Sequence, residues 1–236
     1  MLAQCKEPGM TSSRLILRSE GPIGRLVLNN PQRLNALSFD MWEGIPGALE
    51  ELVRNPAHRA IVLSGAGEKA FAAGADISQF ESGYADAATV VRANEIIEEA
   101  FLAIECCPLP TVAEIRGYCI GGGMAIALCC DLRIAAEGAR FGIPPAKLGL
   151  GYDHMSVRRV IEAVGPSAAK EILFTARQFS TAEAVGMGLV NRVVPATELG
   201  AVVRVVAEEI AANSSDDVVA AKRVTLDLCH PLRPGP

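Results

Sequence analysis

The pattern of apolar and polar residues predicts strands that alternate with helices. Short apolar runs rich in Val, Ile and Leu are typical of buried strands, and they occupy 15–17, 23–28, 60–63, 111–115, 132–135 and 192–194. Segments with apolar residues at helical spacing predict helices over about 39–54, 86–105, 124–130, 153–164, 167–174, 181–187, 198–212 and 215–229. Strands and helices in this order pair in parallel through right-handed crossovers, so the sequence predicts an α/β fold.

Turn and capping signals set several of these boundaries. Glu20-Gly21-Pro22 separates the first two apolar runs and predicts a β-hairpin. Ser38 is placed to cap a helix that begins at Phe39, and Ser180 and Glu183 have the spacing of a capping box. No low-complexity linker divides the chain, so we predict one core over 14–197 and a helical C-terminal segment over 198–236.

Composition and charge argue against several classes of protein. The 236 residues are half hydrophobic but only 5% aromatic, so we expect a core of aliphatic side chains. The net charge of −5 argues against a partner that is a nucleic acid. No uncharged apolar run is long enough to span a membrane, and Met1 to Arg14 lacks the apolar region of a signal peptide. We therefore expect a cytoplasmic protein without nucleic acid or membrane partners.

The cysteines and histidines do not form a metal-binding pattern. The seven cysteines include two adjacent pairs but no CxxC spacing, and the three histidines lie far apart along the chain. Most of the cysteines lie in apolar runs, which indicates buried and reduced thiols. We therefore expect no metal site.

A glycine-rich turn carries the first chemical signal. Gly121, Gly122 and Gly123 lie between the apolar run 111–115 and an Ala-rich helix. Consecutive glycines let the backbone turn tightly and let another group approach it closely. The unpaired N–H groups and the dipole at a helix N-terminus can hold a phosphate or a negative charge that develops on a carbonyl oxygen. The turn alone leaves both possibilities open.

Further motifs accompany this turn in a fixed order. They are the loop from Asn30-Pro31 to Asn35-Ala36-Leu37, then Phe71-Ala72-Ala73-Gly74-Ala75-Asp76-Ile77, then Cys130-Asp131-Leu132-Arg133-Ile134-Ala135, and the segment from Phe179 to Pro195. Together with the glycines they resemble the enoyl-CoA hydratase/isomerase (crotonase) superfamily. The resemblance implies a spiral of ββα turns, an acyl thioester of coenzyme A as substrate, and no permanently bound cofactor. It also implies a homotrimer or a dimer of trimers.

The resemblance also implies roles for particular residues. The backbone N–H groups of Ala75 and Gly122 would bind the thioester oxygen and stabilise the charge of an enolate-type intermediate. The contacts to coenzyme A would lie at Arg33, Ala73, Asp76 and Ile77. The charge of Arg33 suits the phosphates, and the other three positions would contact the adenine through the backbone.

Two positions depart from the best-known hydratases of the superfamily. Those enzymes use two glutamates to activate water, and Ala125 and Pro145 stand at these positions here. Neither residue can move a proton. Tyr152 falls where methylmalonyl-CoA decarboxylase carries a tyrosine, and Asp153 falls where dienoyl-CoA isomerases carry an active-site aspartate.

Three functions therefore stay open. The first is a lyase of the enoyl-CoA hydratase type that acts on an acyl-CoA. The second is a decarboxylase or isomerase that uses Tyr152 or Asp153, the latter as a base if burial raises its pKa. The third is an acyl-CoA-binding member without turnover.

Two further expectations concern the structure. We expect an ion pair between Glu114 and Arg116. The prolines after His230 predict a shorter helical end than is usual in the superfamily, and this weakens the expectation of a trimer.

Overall fold

Two sheets and seven helices make up the computed structural model, which describes residues 14–76, 87–148, 151 and 153–229. The strands are β1 (Leu15–Glu20), β2 (Ile23–Leu28), β3 (Ala60–Gly65), β4 (Ala70–Ala72), β5 (Thr111–Ile115), β6 (Tyr118–Ile120), β7 (Leu132–Ala136), β8 (Arg140–Gly142), β9 (Phe179–Ser180) and β10 (Arg192–Val194). The helices are α1 (Phe39–Arg54), α2 (Ala87–Glu105), α3 (Gly122–Cys129), α4 (His154–Thr175), α5 (Thr181–Gly186), α6 (Leu199–Ala212) and α7 (Ser215–Cys229). Among them we find no helix with the length and hydropathy that a membrane crossing requires.

The order of the strands produces a spiral. The larger sheet has the order β1-β2-β3-β5-β7-β10, and the smaller sheet has the order β4-β6-β8-β9. Three times in succession a strand of the larger sheet is followed by a strand of the smaller sheet and then by a helix. All pairs are parallel except β1 with β2 and β8 with β9. The ββα turns that the resemblance implies are therefore confirmed.

The two faces of the larger sheet belong to two hydrophobic cores. Ile61 and Leu63 on β3 point into the first core, whereas Ala60 and Val62 point into the second. This alternation is expected, since successive side chains of a strand point to opposite faces. The buried side of α6 covers the second core. Helix α6 therefore covers one face of the larger sheet. The division of the chain into a core and a C-terminal segment at residue 197 stays a prediction.

Several boundaries that turn chemistry predicts are confirmed. β1 and β2 form the hairpin, with Gly21 at a positive φ of 63°. The capping box of α5 is complete, because the Glu183 N–H donates to Ser180 Oγ and the Ser180 N–H donates to the Glu183 carboxylate. The two predicted helices over 153–164 and 167–174 are confirmed as the two parts of α4, which are separated at Gly165 by non-helical backbone angles (φ 75°, ψ 166°).

The chain between β5 and α3 differs from the prediction. The sequence predicts that the glycine turn follows β5 directly, but a further short strand, β6, lies between them. Gly117 has a φ of +61°, and this conformation lets the chain leave the larger sheet and enter the smaller one. A Cβ at Gly117 would overlap the carbonyl oxygen of Lys69, so the crossing also requires the smallest residue.

The expected ion pair between Glu114 and Arg116 is wrong. Glu114 instead accepts a hydrogen bond from Arg25 Nη1 at 2.6 Å, and Arg116 contacts Glu68 at 2.6 Å. The prediction assumed that residues two apart share a strand face. β5 ends at Ile115, so the alternation does not extend to Arg116.

The close packing of α3 against β4 predicts a large difference between two glycine substitutions. A methyl group at Gly123 would overlap the carbonyl oxygen of Ala72, so Gly123→Ala should destabilise the fold by about 1–3 kcal/mol or more. Gly47 is exposed within α1 and has open space around its Cβ position, so Gly47→Ala should stabilise the fold by up to about 1 kcal/mol. Urea unfolding, followed by circular dichroism, measures the change in unfolding free energy of each variant. Equal changes in the two variants would contradict the close packing at Gly123.

Candidate active site

The predicted segments around Ala75 and Gly122 meet at one point. β4 and β6 pair in parallel, so the loops that leave their carboxyl ends lie side by side. A Cβ built at Gly74 would lie 4.0 Å from the Gly122 nitrogen, and one built at Gly121 would lie 3.6 Å from the Gly74 Cα. The two backbones are therefore in van der Waals contact, and glycine is favoured on both loops by the positive φ of Gly74 (107°) and Gly121 (54°).

Two backbone donors at this meeting point have no acceptor among the described residues. The Leu37 N–H donates to the Gly74 carbonyl at 2.8 Å, and the Asp76 N–H donates to the Leu37 carbonyl at 2.9 Å. These bonds hold the backbone on either side of Ala75, whose own N–H donates to no atom of the described residues. The Gly122 N–H lies in the first turn of α3 and likewise has no acceptor in the described part of the chain.

A cavity of about 190 Å³ lies beside Gly122. Apolar side chains from three helices form much of its described wall, namely Phe101, Leu128, Val160 and Leu173. Ala125 and Pro145 line the same cavity. The two positions at which hydratases of the superfamily carry glutamates are thus brought together, but here they present only apolar surface.

Asp153 lies at the cavity as the N-cap of α4. Its carboxylate accepts hydrogen bonds from the Ser156 N–H at 2.8 Å and from the Ser156 hydroxyl. Partial burial alone would raise the pKa of Asp153, but these two bonds and the nearby Arg159 charge outweigh burial and lower its pKa. Asp153 therefore lacks the raised pKa that a strong base at this site would need.

Arg159 is the cation that lines the described part of the cavity. Its side chain is almost wholly buried, and its guanidinium contacts Glu98 at 2.7 and 3.1 Å and Glu105 at 3.2 Å. It also lies 5.0 Å from the centroid of the Phe101 ring. Burial would lower the pKa of Arg159, but the two carboxylates raise it, so the cation stays charged. Its charge is compensated within the protein.

The residues predicted to contact coenzyme A are partly brought together. Arg33 Nη1 lies 2.8 Å from both carboxylate oxygens of Asp76, whose side chain is buried. The Ala73 N–H donates to the Leu34 carbonyl at 3.0 Å, which ties the same loop to the segment that carries Arg33. Ile77 and the candidate catalytic residue Tyr152 lie outside the described residues.

The buried cysteines do not supply a nucleophile at this site. Burial raises the pKa of Cys130 to about 12 and raises that of Cys119 as well, so both thiols stay protonated at neutral pH. Across residues 14–76, 87–148, 151 and 153–229, we find no group of three or more His, Cys, Asp or Glu side chains that could hold a metal ion.

Sequence reasoning missed two residues of the site, Trp42 and Arg159. A Cβ at Gly122 would lie 3.0 Å from Cζ2 of Trp42, a residue 80 positions earlier in the chain, and helical periodicity predicts only that Trp42 is buried. For Arg159 a signal was available. Glu98 and Glu105 lie seven residues apart on one face of α2, a placement that suits a shared cation but is also typical of a solvated helix face.

Comparison with known proteins identifies the family. The family model for enoyl-CoA hydratase/isomerase matches residues 18–227. The short-chain-enoyl-CoA hydratase of Clostridium acetobutylicum is 34% identical over 214 residues, which are 91% of this chain and 81% of that protein. A peroxisomal Delta(3,5)-Delta(2,4)-dienoyl-CoA isomerase of Arabidopsis thaliana is 35% identical over 219 residues, which are 88% of this chain and 78% of that protein.

A solved structure agrees with these sequence matches. The crystal structure of an enoyl-CoA hydratase/isomerase family protein from Hyphomonas neptunium is similar with a TM-score of 0.89 and 44% sequence identity, over 92% of this chain and 83% of that one. The spiral fold, the two loops that meet at Gly122 and the match over most of the chain lead to the same conclusion. The chain belongs to the enoyl-CoA hydratase/isomerase family.

Proposed function

We propose that this acyl-CoA-processing family member binds the thioester oxygen of its substrate between the N–H groups of Ala75 and Gly122. The observation that supports the proposal is that the loops of Ala75 and Gly122 lie side by side next to a largely apolar cavity, and neither N–H has an acceptor among the described residues. An enolate-type intermediate places negative charge on that oxygen, and donors fixed before the reaction stabilise the charge without reorganisation. The cavity beside Gly122 would take the acyl group.

The ion pair at the Ala75 loop supports binding of the nucleotide part of coenzyme A. Arg33 is more than half exposed, and Asp76 fixes the position of its guanidinium. A guanidinium in a fixed position suits phosphate, because its donors match the geometry of phosphate oxygens. We therefore keep Arg33, Ala73, Asp76 and Ile77 as the proposed contacts to coenzyme A, and we keep the homotrimer or dimer of trimers as a prediction.

Hydration by the two-glutamate mechanism has little support in this cavity. Water activation needs a group that takes a proton, and neither Ala125 nor Pro145 provides one. Asp153 is the single carboxylate among the described lining residues, and its lowered pKa makes it a weak base. The same argument weighs against an isomerase that uses Asp153 to remove a proton from carbon.

Decarboxylation is the second candidate, and the apolar wall favours it. When a carboxylate leaves the α-carbon as CO₂, the electron pair of the broken carbon–carbon bond enters the thioester and forms the enolate. No protein base is required for this step. An apolar wall at Ala125 and Pro145 solvates a carboxylate poorly and so favours its loss. The enolate carbon then needs one proton, and Tyr152 is the proposed donor.

A turnover panel separates these reactions. Purified protein is assayed with crotonyl-CoA for hydration, with a dienoyl-CoA for isomerisation, with methylmalonyl-CoA for decarboxylation, and with a simple acyl-CoA for hydrolysis. We expect decarboxylation to have the highest kcat/KM. Efficient hydration of crotonyl-CoA would contradict this expectation. If these esters bind but none is turned over, the result would support the hypothesis that the protein binds acyl-CoA without catalysis.

Removal of one backbone donor tests the proposed oxyanion site. Ala75→Pro deletes the N–H that has no acceptor among the described residues, so it should lower kcat by about 10²–10³-fold. Ala75→Gly keeps the N–H and is the matched control, which should retain turnover. Circular dichroism and coenzyme A affinity establish that both variants are folded. Equal turnover in the two variants would exclude Ala75 as a donor.

Asp153 should act as a helix cap rather than as the proton acceptor. Asparagine also caps helices, so Asp153→Asn should keep turnover, whereas Asp153→Ala should lower the free energy of unfolding by about 1 kcal/mol. Loss of turnover in a stable Asp153→Asn variant would restore Asp153 as the base.

The pH dependence of stability provides a second readout for Asp153. Because the folded-state pKa is lowered, the carboxylate stabilises the fold above its unfolded pKa of about 3.9. That contribution is lost as the pH falls through the folded pKa. The difference in unfolding free energy between wild type and Asp153→Asn should therefore shrink below about pH 4. A difference that grows on acidification would contradict the lowered pKa.

A further inference from the structure

We propose that Trp42 is a positioning residue that fixes the Gly122 N–H at the thioester oxygen. The inference rests on the proposed function, since it concerns the placement of one of the two proposed donors. Trp42 is 2% exposed and is not among the described residues that line the cavity, so we place it behind the site. It acts through the backbone of the glycine turn.

The indole occupies the space that a side chain at Gly122 would need. A Cβ at Gly122 would lie 3.0 Å from Cζ2 and 3.3 Å from Cη2 of Trp42, and 3.5 Å from Cδ1 of Leu37. The six-membered part of the indole therefore fills the space next to the Gly122 backbone. In a close-packed interior, a backbone segment that rests on such a ring cannot move toward it.

The ring itself is held in place. Trp42 and Phe101 pack edge to face, with ring centroids 5.3 Å apart and an interplanar angle of 82°. The guanidinium of Arg159 lies 5.0 Å from the centroid of the same Phe101 ring, and Glu98 and Glu105 hold that guanidinium. A continuous set of contacts thus runs from a buried ion-pair network to Gly122.

One short segment sets the positions of both donors. Leu37 forms two backbone hydrogen bonds that hold the loop on either side of Ala75. Five residues later, in the first turns of α1, Trp42 supports Gly122. A change in the Trp42 ring therefore alters the distance between the Ala75 and Gly122 N–H groups while the Ala75 loop stays in place.

The contribution of the indole at this position is its shape. Its Nε1–H is buried and has no acceptor in the described part of the chain. An unpaired buried donor is unfavourable for stability. Trp42→Phe removes this donor together with the part of the ring that reaches Gly122. The kinetics and the unfolding free energy of this variant are therefore measured separately.

Kinetics and the thioester carbonyl frequency test the proposal. Trp42→Phe and Trp42→Leu should lower kcat on the substrate that the wild type turns over by about tenfold to a hundredfold, because a small misplacement of a catalytic group has an effect of this size. The KM and the affinity for coenzyme A should stay near their wild-type values. In Raman difference spectra, the carbonyl band of a bound acyl-CoA should shift back toward its position in solution.

Leu49→Ala is the matched control. Leu49 is 3% exposed, belongs to the same core and lies on α1 beyond Trp42, so its truncation loosens the helix away from the glycine turn. We expect this control to lose stability but to keep kcat and the shifted carbonyl band. A wild-type carbonyl band and kcat in both Trp42 variants would overturn the proposal.

Intrinsic fluorescence of the wild type tests the contact without any substitution. Trp42 is the single tryptophan of the chain, so the indole emission reports on this position alone. Saturation with a non-reacting acyl-CoA should change the emission, and saturation with coenzyme A lacking an acyl group should change it less. Emission that is identical with both ligands would contradict the proposal. A wild-type carbonyl band that does not shift on binding, although acyl-CoA binds, would overturn the proposed oxyanion site and this inference together.

Discussion

The parallel pairing of β4 with β6 is the constraint on which the rest of the site depends. It places two loops at the same edge of the smaller sheet, and the backbone packs so closely on Ala72 that glycine is required at Gly123. Backbone donors gain from this arrangement, because their positions depend on hydrogen-bonded strands and not on side-chain rotamers. The positions of the two proposed thioester donors therefore depend first on the pairing of these strands, and then on the side chains that pack against the glycine turn.

Local patterns predicted much of the fold, and long-range contacts account for what they missed. The bounds of α1, β5 and α7 follow from apolar periodicity and turn residues, which act within a few positions. All four strands of the smaller sheet, β4, β6, β8 and β9, were missed, because each has only two or three residues and so carries no period, and because each pairs with a strand that is distant in the chain. Glu114 was paired with the wrong arginine for the same reason, since its true partner lies 89 residues away.

In the candidate site, too, local motifs predicted some residues, whereas long-range contacts determine the properties of others. Ala75 and Gly122 were predicted from motifs whose small residues have a local physical meaning, and the structure brings their loops together. The groups that decide the chemistry depend on what surrounds them. The pKa of Asp153 is lowered by its capping hydrogen bonds with Ser156, which the sequence can suggest. It is also lowered by the charge of Arg159, further along α4. The charge of Arg159 is compensated by two carboxylates on another helix, a balance that only the assembled fold reveals.

The sheet crossing at Gly117 has a consequence for how the protein unfolds. In each ββα turn, one continuous stretch of chain belongs first to the larger sheet and then to the smaller one. Neither sheet can separate without pulling strands out of the other, so the two melt as one cooperative unit. The loops at Ala75 and Gly122 leave strands of this unit. Their spacing is therefore protected by the global stability of the fold, and not only by local contacts.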